Sequence, residues 1–387
     1  MFWRENLSKG SLKTKLEWVN TNIKNILDYD NGILLDKAKD KLLFLSFCIE
    51  FKRFYNFITN ENIMEFETYL PIQLDATCNG FQHMALLSNE KVLFKELNLI
   101  SHNDKPKDFY NFLLHKLKIK FEHKVSLKEL IDEKTLGSYD RLNNFIWDRA
   151  FVKKAIMTIP YNVSTRQMHN YITECLSPIE SLKENNLMWY SSSEKDKSLI
   201  NTNDISLLIH FLNKIINEDF EKIKKLSKYL NNIATLFITL NLPITWTLPT
   251  GLTIKQSYLE TISTSITPFM YSKIKINLRV TVKETLAKNK QITAFMPNLI
   301  HSLDASSLSL FFNKFNDMYK HDSLKNSSVQ FYSVHDCFGT TCDKVSTIKI
   351  LLASTYTVLY STDPYLYKFD KQILDFLENN TDYVLDR

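Results

Sequence analysis

The chain has 387 residues, 44% of them hydrophobic and 24% charged, enough to bury a sizeable core and to form more than one structural lobe. Its net charge of +5 suits a polyanionic partner without demanding one. The five cysteines (Cys48, Cys78, Cys175, Cys337, Cys342) are odd in number and scattered, which argues against a disulfide framework and against zinc. No apolar run is long enough to span a membrane, and the N-terminus has neither a signal-peptide core nor the Arg-rich character of a transit peptide.

In chain order, Leu16, Val19, Ile23 and Ile26 have helical spacing, and Lys37 to Phe57 predicts a second helix. Tyr69 to Leu74 is an apolar extended run that delivers Asp75. Small and polar residues follow through Gly80, and Phe81 to Leu87 opens a helix. Pro106 to Lys120 predicts an amphipathic helix burying Phe109, Phe112, Leu113, Leu117 and Ile119. Asp140 to Thr158 predicts a further strong helix, and 184–204 predicts a loop or insertion. Leu207 to Leu240 reads as helix in two pieces, Pro243 to Tyr258 as a hairpin, and Met270 to Val282 as strand. Ser302 to Tyr319 is helical. Ser328 to His335 is a short strand ending at Asp336, and Phe338 starts its return. Ser346 to Tyr360 and Tyr365 to Leu377 predict the last helices. Strands are few and short, so the expected class is α+β, mainly helical.

Three groups of residues carry chemistry. Asp75 and Asp336 each end an apolar strand at a turn, so together they could hold a pair of divalent ions. Mg²⁺ is the expected metal, because it takes few carboxylates and completes its shell with water and phosphate. A strand-end Asp also serves as a helix cap, and that reading stays open. Arg149, Lys153, Met157 and Tyr161 recur at intervals of four and would form one helical stripe of two cations and an aromatic ring, suited to a nucleoside triphosphate or to plain solvation. His301 lies between an apolar triplet and Ser302-Leu-Asp304, where a histidine can be structural or functional.

These stretches resemble the single-subunit DNA-directed RNA polymerases of phages and mitochondria. Asp75-Ala-Thr-Cys-Asn-Gly80-Phe-Gln-His83 is similar to the first palm motif of that family, and Arg149 to Tyr161 resembles its fingers helix. Phe331-Tyr-Ser-Val-His335-Asp336-Cys-Phe-Gly-Thr340 resembles its second palm motif. Trp246 to Leu252, Lys290-Gln291 and Pro297 to Asp304 resemble further segments, in the family's order, from about residue 10 to the end.

The resemblance implies a right-hand polymerase palm, a small antiparallel sheet, over residues 1–90 and 241–387, with helical fingers over 91–240 and without the family's N-terminal and thumb parts. It implies template-directed RNA synthesis by two-metal nucleotidyl transfer, with catalytic Asp75, Lys153 and Asp336. Two Mg²⁺ would sit on Asp75, Asp336 and the carbonyl of Ala76. Arg149 and Lys153 would take the triphosphate, with Lys153 protonating pyrophosphate. Tyr161, hydrogen-bonded to His301, would sense the ribose 2′-OH, Tyr110 would lie near the nucleotide, and His335 beside the primer end. Gly80 stands where related DNA polymerases carry a Glu that blocks the 2′-OH, which favours RNA synthesis. The implied partners are a DNA template, nascent RNA, ribonucleoside triphosphates and a separately encoded N-terminal portion, with no membrane. Abundant Phe, Lys, Asn and Ile have A/T-rich codons, pointing to a mitochondrial, plasmid-encoded origin, with a cytoplasmic phage protein as the alternative.

The chain departs from the family at several places. Asn162 replaces a Gly, Pro160 should end the helix before Tyr161, Ser307 replaces a His, and the end at Arg387 lacks the usual aromatic residue. A palm arginine is also missing. A nucleic-acid-binding remnant without turnover, a DNA polymerase of the related palm family and a metal-dependent nuclease stay open as alternatives. Residues 258–282 align with the family's promoter-reading hairpin.

Overall fold

The computed structural model describes residues 11–60, 66–100, 106–126, 133–145, 147–184, 187–191, 198–267, 275–319, 331–362 and 364–380. Two helices come first, α1 (Leu12–Leu27) and α2 (Lys41–Asn60), then a strand, β1 (Ile72–Asp75). The helices α3 (Asn79–Ser88), α4 (Lys91–Glu96), α5 (Phe109–Ser126), α6 (Glu133–Asn144), α7 (Arg149–Met157) and α8 (Thr165–Thr173) follow. Next are β2 (Ser177–Glu184), β3 (Leu187–Ser191), β4 (Leu199–Asn201), α9 (Thr202–Asp219) and α10 (Glu221–Thr239). Two hairpins, β5 (Ile244–Thr247) with β6 (Thr253–Gln256) and β7 (Leu259–Ile266) with β8 (Ile276–Leu286), precede α11 (Lys288–Tyr319). The chain closes with β9 (Phe331–Val334), β10 (Cys337–Thr340), α12 (Val345–Thr357) and α13 (Tyr365–Asn380). The described residues are mostly helical, with small antiparallel sheets, as an α+β reading requires. No described helix is long and apolar enough to cross a membrane.

The chain divides into two compact units. The first gathers residues 1–76, 100–107 and 311–354. In it α1 and α2 enclose Ile26, Leu34, Ala38, Phe44 and Cys48. Its sheet has the order β1-β10-β9 and is antiparallel throughout. Because side chains alternate along a strand, Leu74, Phe331 and Phe338 share one face. The Phe331 and Phe338 rings meet Phe311 from the end of α11 at centroid separations of 5.2 and 5.0 Å. The opposite face carries Gln73, Asp75, Tyr332, Val334, Cys337 and Gly339, and Gln73, Asp75, Tyr332 and Val334 are exposed.

The second unit gathers residues 77–99, 108–310 and 355–387 around one large apolar core. Asn201 caps α9 in a reciprocal capping box with Asp204. The buried Asp204 carboxylate takes both the Nε and Nη2 of Arg141 at 2.8 Å. Gln256 Nε2 donates to Gln291 Oε1 at 2.7 Å and Gln291 Nε2 donates back to Gln256 O at 3.2 Å, tying β6 to α11. Trp246, fully buried, donates to Ser302 Oγ at 3.2 Å.

Several sequence expectations change in detail. The helix expected over Asp140 to Thr158 is two helices, because Asp148 accepts from Ala150 N and starts α7 afresh. The loop expected over 184–204 contains β3 and β4, paired along Trp189↔Asn201 and Tyr190↔Ile200, since the aromatic run 187–191 fits a pleated surface better than its polar flanks suggest. Residues 185–186 and 192–197 of that stretch lie outside the described residues, as do the starts of the strands expected from Met270 and Ser328. Ile119, expected to be buried in α5, is 50% exposed, and Leu114 is buried instead. The helix expected from Ser302 begins fourteen residues earlier, at Lys288, and runs through Pro297. A proline inside a helix costs about 3 kcal/mol. Burial of Phe295, Met296, Leu299, Ile300 and Leu303 at about 1.5–3 kcal/mol each outweighs it.

Candidate active site

In the first unit, β1 and β10 pair with Asp75 opposite Cys337. Asp336 immediately precedes Cys337 in the two-residue turn from β9 to β10, so register and turn bring both expected carboxylates to one end of one sheet. The Cys337 thiol reports their proximity: burial pushes its pKa up, and the negative charges of Asp75 and Asp336 push it further. His335, at the other turn position, has φ 54°, a left-handed conformation that non-glycine residues adopt at a cost.

The donor set fits Mg²⁺. It offers hard carboxylate oxygens from Asp75 and Asp336, with Ala76 following directly in the chain. Among the described residues no group of three or more His, Cys, Asp or Glu side chains forms a closed metal cage, so a site here would draw on water and phosphate oxygens.

In the second unit, Arg149 is the first residue of α7, and its Nε donates to Asp108 Oδ2 at 2.7 Å. The guanidinium lies 4.8 Å from the centre of the Tyr110 ring, and Lys153 Nζ lies 6.0 Å from the same ring. Tyr110 is buried, and its hydroxyl donates to Thr77 O at 3.5 Å. One buried aromatic ring thus underlies both expected phosphate-binding cations. Asp108 aligns Arg149 by one nitrogen, which leaves other guanidinium N–H groups to serve an anion. Asp108 stands directly before α5 and accepts from Tyr110 N, so in the sequence it has the place of an ordinary helix cap.

The four-residue stripe does not continue as one helix. α7 ends at Met157, and Ile159–Tyr161 forms a 3₁₀ turn containing Pro160. Asn162 then turns left-handed at φ 55°. Its Nδ2 donates to Thr293 O at 3.1 Å. In an unbroken helix that carbonyl would accept from residue 297, but Pro297 has no N–H. The proline therefore frees the acceptor that anchors the turn after Tyr161.

Tyr161 and His301, the expected hydrogen-bond partners, stack in parallel, with ring centroids 4.4 Å apart and planes 2° apart. Gly80 supports this turn from below. A Cβ on Gly80 would lie 2.9 Å from Pro160 Cβ and 3.0 Å from Tyr161 Oη. The space expected to stay open for a ribose at Gly80 is thus lined closely by Pro160 and Tyr161.

Behind this pair lies a buried polar group not anticipated as a unit from the sequence. His83 is fully buried; its Nδ1 shares a hydrogen bond with Tyr360 Oη at 2.5 Å, and its Nε2 lies 3.6 Å from Asp304 Oδ1. Burial pushes the Asp304 carboxyl up, but the neighbouring His83 and Asn79 side chains and the charges of His83 and His301 hold it below the ordinary carboxylate value. Asp304 and His301 sit three residues apart on α11, a spacing that places them on one face and was available as a signal.

The sequence model of the DNA-dependent RNA polymerase family matches residues 5–385. A Podospora anserina protein named "Probable DNA-directed RNA polymerase" is 42% identical over 369 residues, which is 95% of this chain and 38% of that protein. A Neurospora crassa protein of the same name is 30% identical over 377 residues, 95% of this chain and 39% of that one. The mitochondrial DNA-directed RNA polymerase 1B of Nicotiana tabacum is 25% identical over 295 residues, 76% and 26% of the two chains. The chain spans about two fifths of the length of the two fungal relatives.

Proposed function

Since the chain belongs to the DNA-dependent RNA polymerase family, we infer that it carries the nucleotidyl-transfer centre of such an enzyme, extending RNA on a DNA template from ribonucleoside triphosphates. The observation that supports this most is the register of β1 against β10, which sets Asp75 opposite Cys337, the residue after Asp336, across a sequence gap of more than two hundred residues. The sheet β1-β10-β9 is read as the palm, the helices around α7 as the fingers, and the β7–β8 ribbon as the counterpart of a promoter-reading hairpin.

In this reading Asp75, Asp336 and the carbonyl of Ala76 hold two Mg²⁺, which supply charge neutralisation and activation of the RNA 3′-OH when bound. Arg149, braced by Asp108, and Lys153 bind the triphosphate, and Lys153 Nζ delivers a proton to the departing pyrophosphate. Tyr161, held between Gly80 and His301, lies against the sugar, and His335 orients the primer end. The residues act by positioning and by stabilising charge around an in-line attack. An organellar location belongs to the same reading, by analogy with the mitochondrial relative.

The test is extension of an RNA primer on a DNA template with Mg²⁺ and ribonucleotides. The wild type extends, and Asp336→Ala lowers the rate by at least about a thousandfold. An Asp336→Ala protein that extends at the wild-type rate refutes the assignment.

A further inference from the structure

The open face of the first unit's sheet bears a second set of residues beside the carboxylates. Asp75, Cys337 and Val334 form one rung, and Gln73, Gly339 and Tyr332 form the next, about 6.6 Å away along the strands. Gln73 Nε2 donates to Tyr332 Oη at 2.7 Å. A Cβ on Gly339 would lie 2.3 Å from Tyr332 Cζ, so the ring lies flat across the central strand and buries this glycine. Glycine inside a strand weakens it and marks a close approach, here by the ring. The ring nevertheless stays 39% exposed, and its hydroxyl, an acceptor from Gln73, keeps its proton to donate. No cation shares the rung, so its chemistry is that of an apolar platform with one O–H donor, which suits a sugar better than a phosphate.

We propose that Tyr332, set by Gln73 and Gly339, binds the ribose one nucleotide behind the RNA 3′ end. This rests on the proposed function, which puts the terminal hydroxyl at the Asp75 rung and the neighbouring nucleotide within reach of the next rung. The ring is held in place before the strand arrives, so little side-chain freedom is lost on binding.

The experiment measures binding of the full chain to a fluorescent RNA–DNA hybrid with a recessed RNA 3′ end, by anisotropy and without nucleotides. Tyr332→Ala weakens binding about tenfold, the scale of one lost aromatic contact to a nucleotide. Gly339→Ala, which expels the ring without removing it, weakens binding to a similar degree. Tyr332→Phe loses about threefold, as expected for one neutral hydrogen bond. A hybrid whose penultimate RNA sugar is 2′-deoxy binds the wild type as weakly as the all-ribose hybrid binds Tyr332→Phe, and Tyr332→Phe does not distinguish the two hybrids. Wild-type affinity in Tyr332→Ala, with unchanged melting, overturns the proposal, as does a Phe variant that still distinguishes the two sugars. A wild type that binds but does not extend refutes the polymerase reading alone, and the Tyr332 series still decides this one. A wild type that does not bind refutes both.

Discussion

Gly80 illustrates how a single missing methyl group holds a site together. Its hydrogen lets Pro160 and Tyr161 approach α3 closely, and Tyr161 in turn stacks on His301. Gly80→Ala inserts a carbon at 2.9 Å from Pro160 Cβ, a rigid neighbour that cannot swing away. The expected loss is about 1–3 kcal/mol of stability in urea titrations, the usual range for overpacking, together with reduced discrimination between ribo- and deoxyribonucleotides. Asp304 yields a prediction in pH. Its carboxyl is held below the ordinary value in the fold, so its contribution is present above the unfolded pKa of about 4 and is lost as pH falls through the lower folded pKa. The stability gap between wild type and Asp304→Asn should therefore shrink as pH falls below about 4, as followed by thermal melting against pH.

At the scale of elements, α11 organises the second unit. It meets β6 through Gln291, Trp246 through Ser302, the turn after Tyr161 through Thr293, and His83 through Asp304. Asn162 and Pro297 act as a pair, one supplying the donor and the other exposing the acceptor. Asn162→Ala loses the hydrogen bond and leaves a Cβ at φ 55°, and should cost about 1–3 kcal/mol. Asn162→Gly loses the same bond but relieves the left-handed conformation, and should stay within about 1 kcal/mol of wild type. In a Pro297→Ala background the helix can use Thr293 O itself, so the penalty for Asn162→Ala should shrink. A double-mutant cycle by urea unfolding measures that coupling.

For the whole molecule, the proposed chemistry needs cations as well as carboxylates. Arg149→Ala and Lys153→Ala should raise the KM for ribonucleotides at least about tenfold, the effect of losing one charge-assisted contact, as read in steady-state extension. Chelation of divalent cations should abolish extension, with recovery on adding Mg²⁺. Hybrid binding should weaken as salt rises, because a net charge of +5 acts through screened contacts to phosphate.

Much of this was legible in the sequence because it is local. An apolar run that stops at Asp75, a run that stops at Asp336 and two cations four residues apart, Arg149 and Lys153, are statements about neighbours in the chain, and strands and helices obey them. The break before α7 was less legible: Asp140 to Thr158 reads as one helix, and only the bond from Ala150 N to Asp148 shows where α7 begins, whereas Pro160 marks its end in the sequence as well. What tertiary structure alone decided are the meetings of residues far apart. Asp75 opposite Cys337, Tyr161 against His301, Asn162 on Thr293 O and Gln73 on Tyr332 depend on register and on close approach of backbones. Those are fixed by how faces pack in the core, and no window of sequence contains both partners.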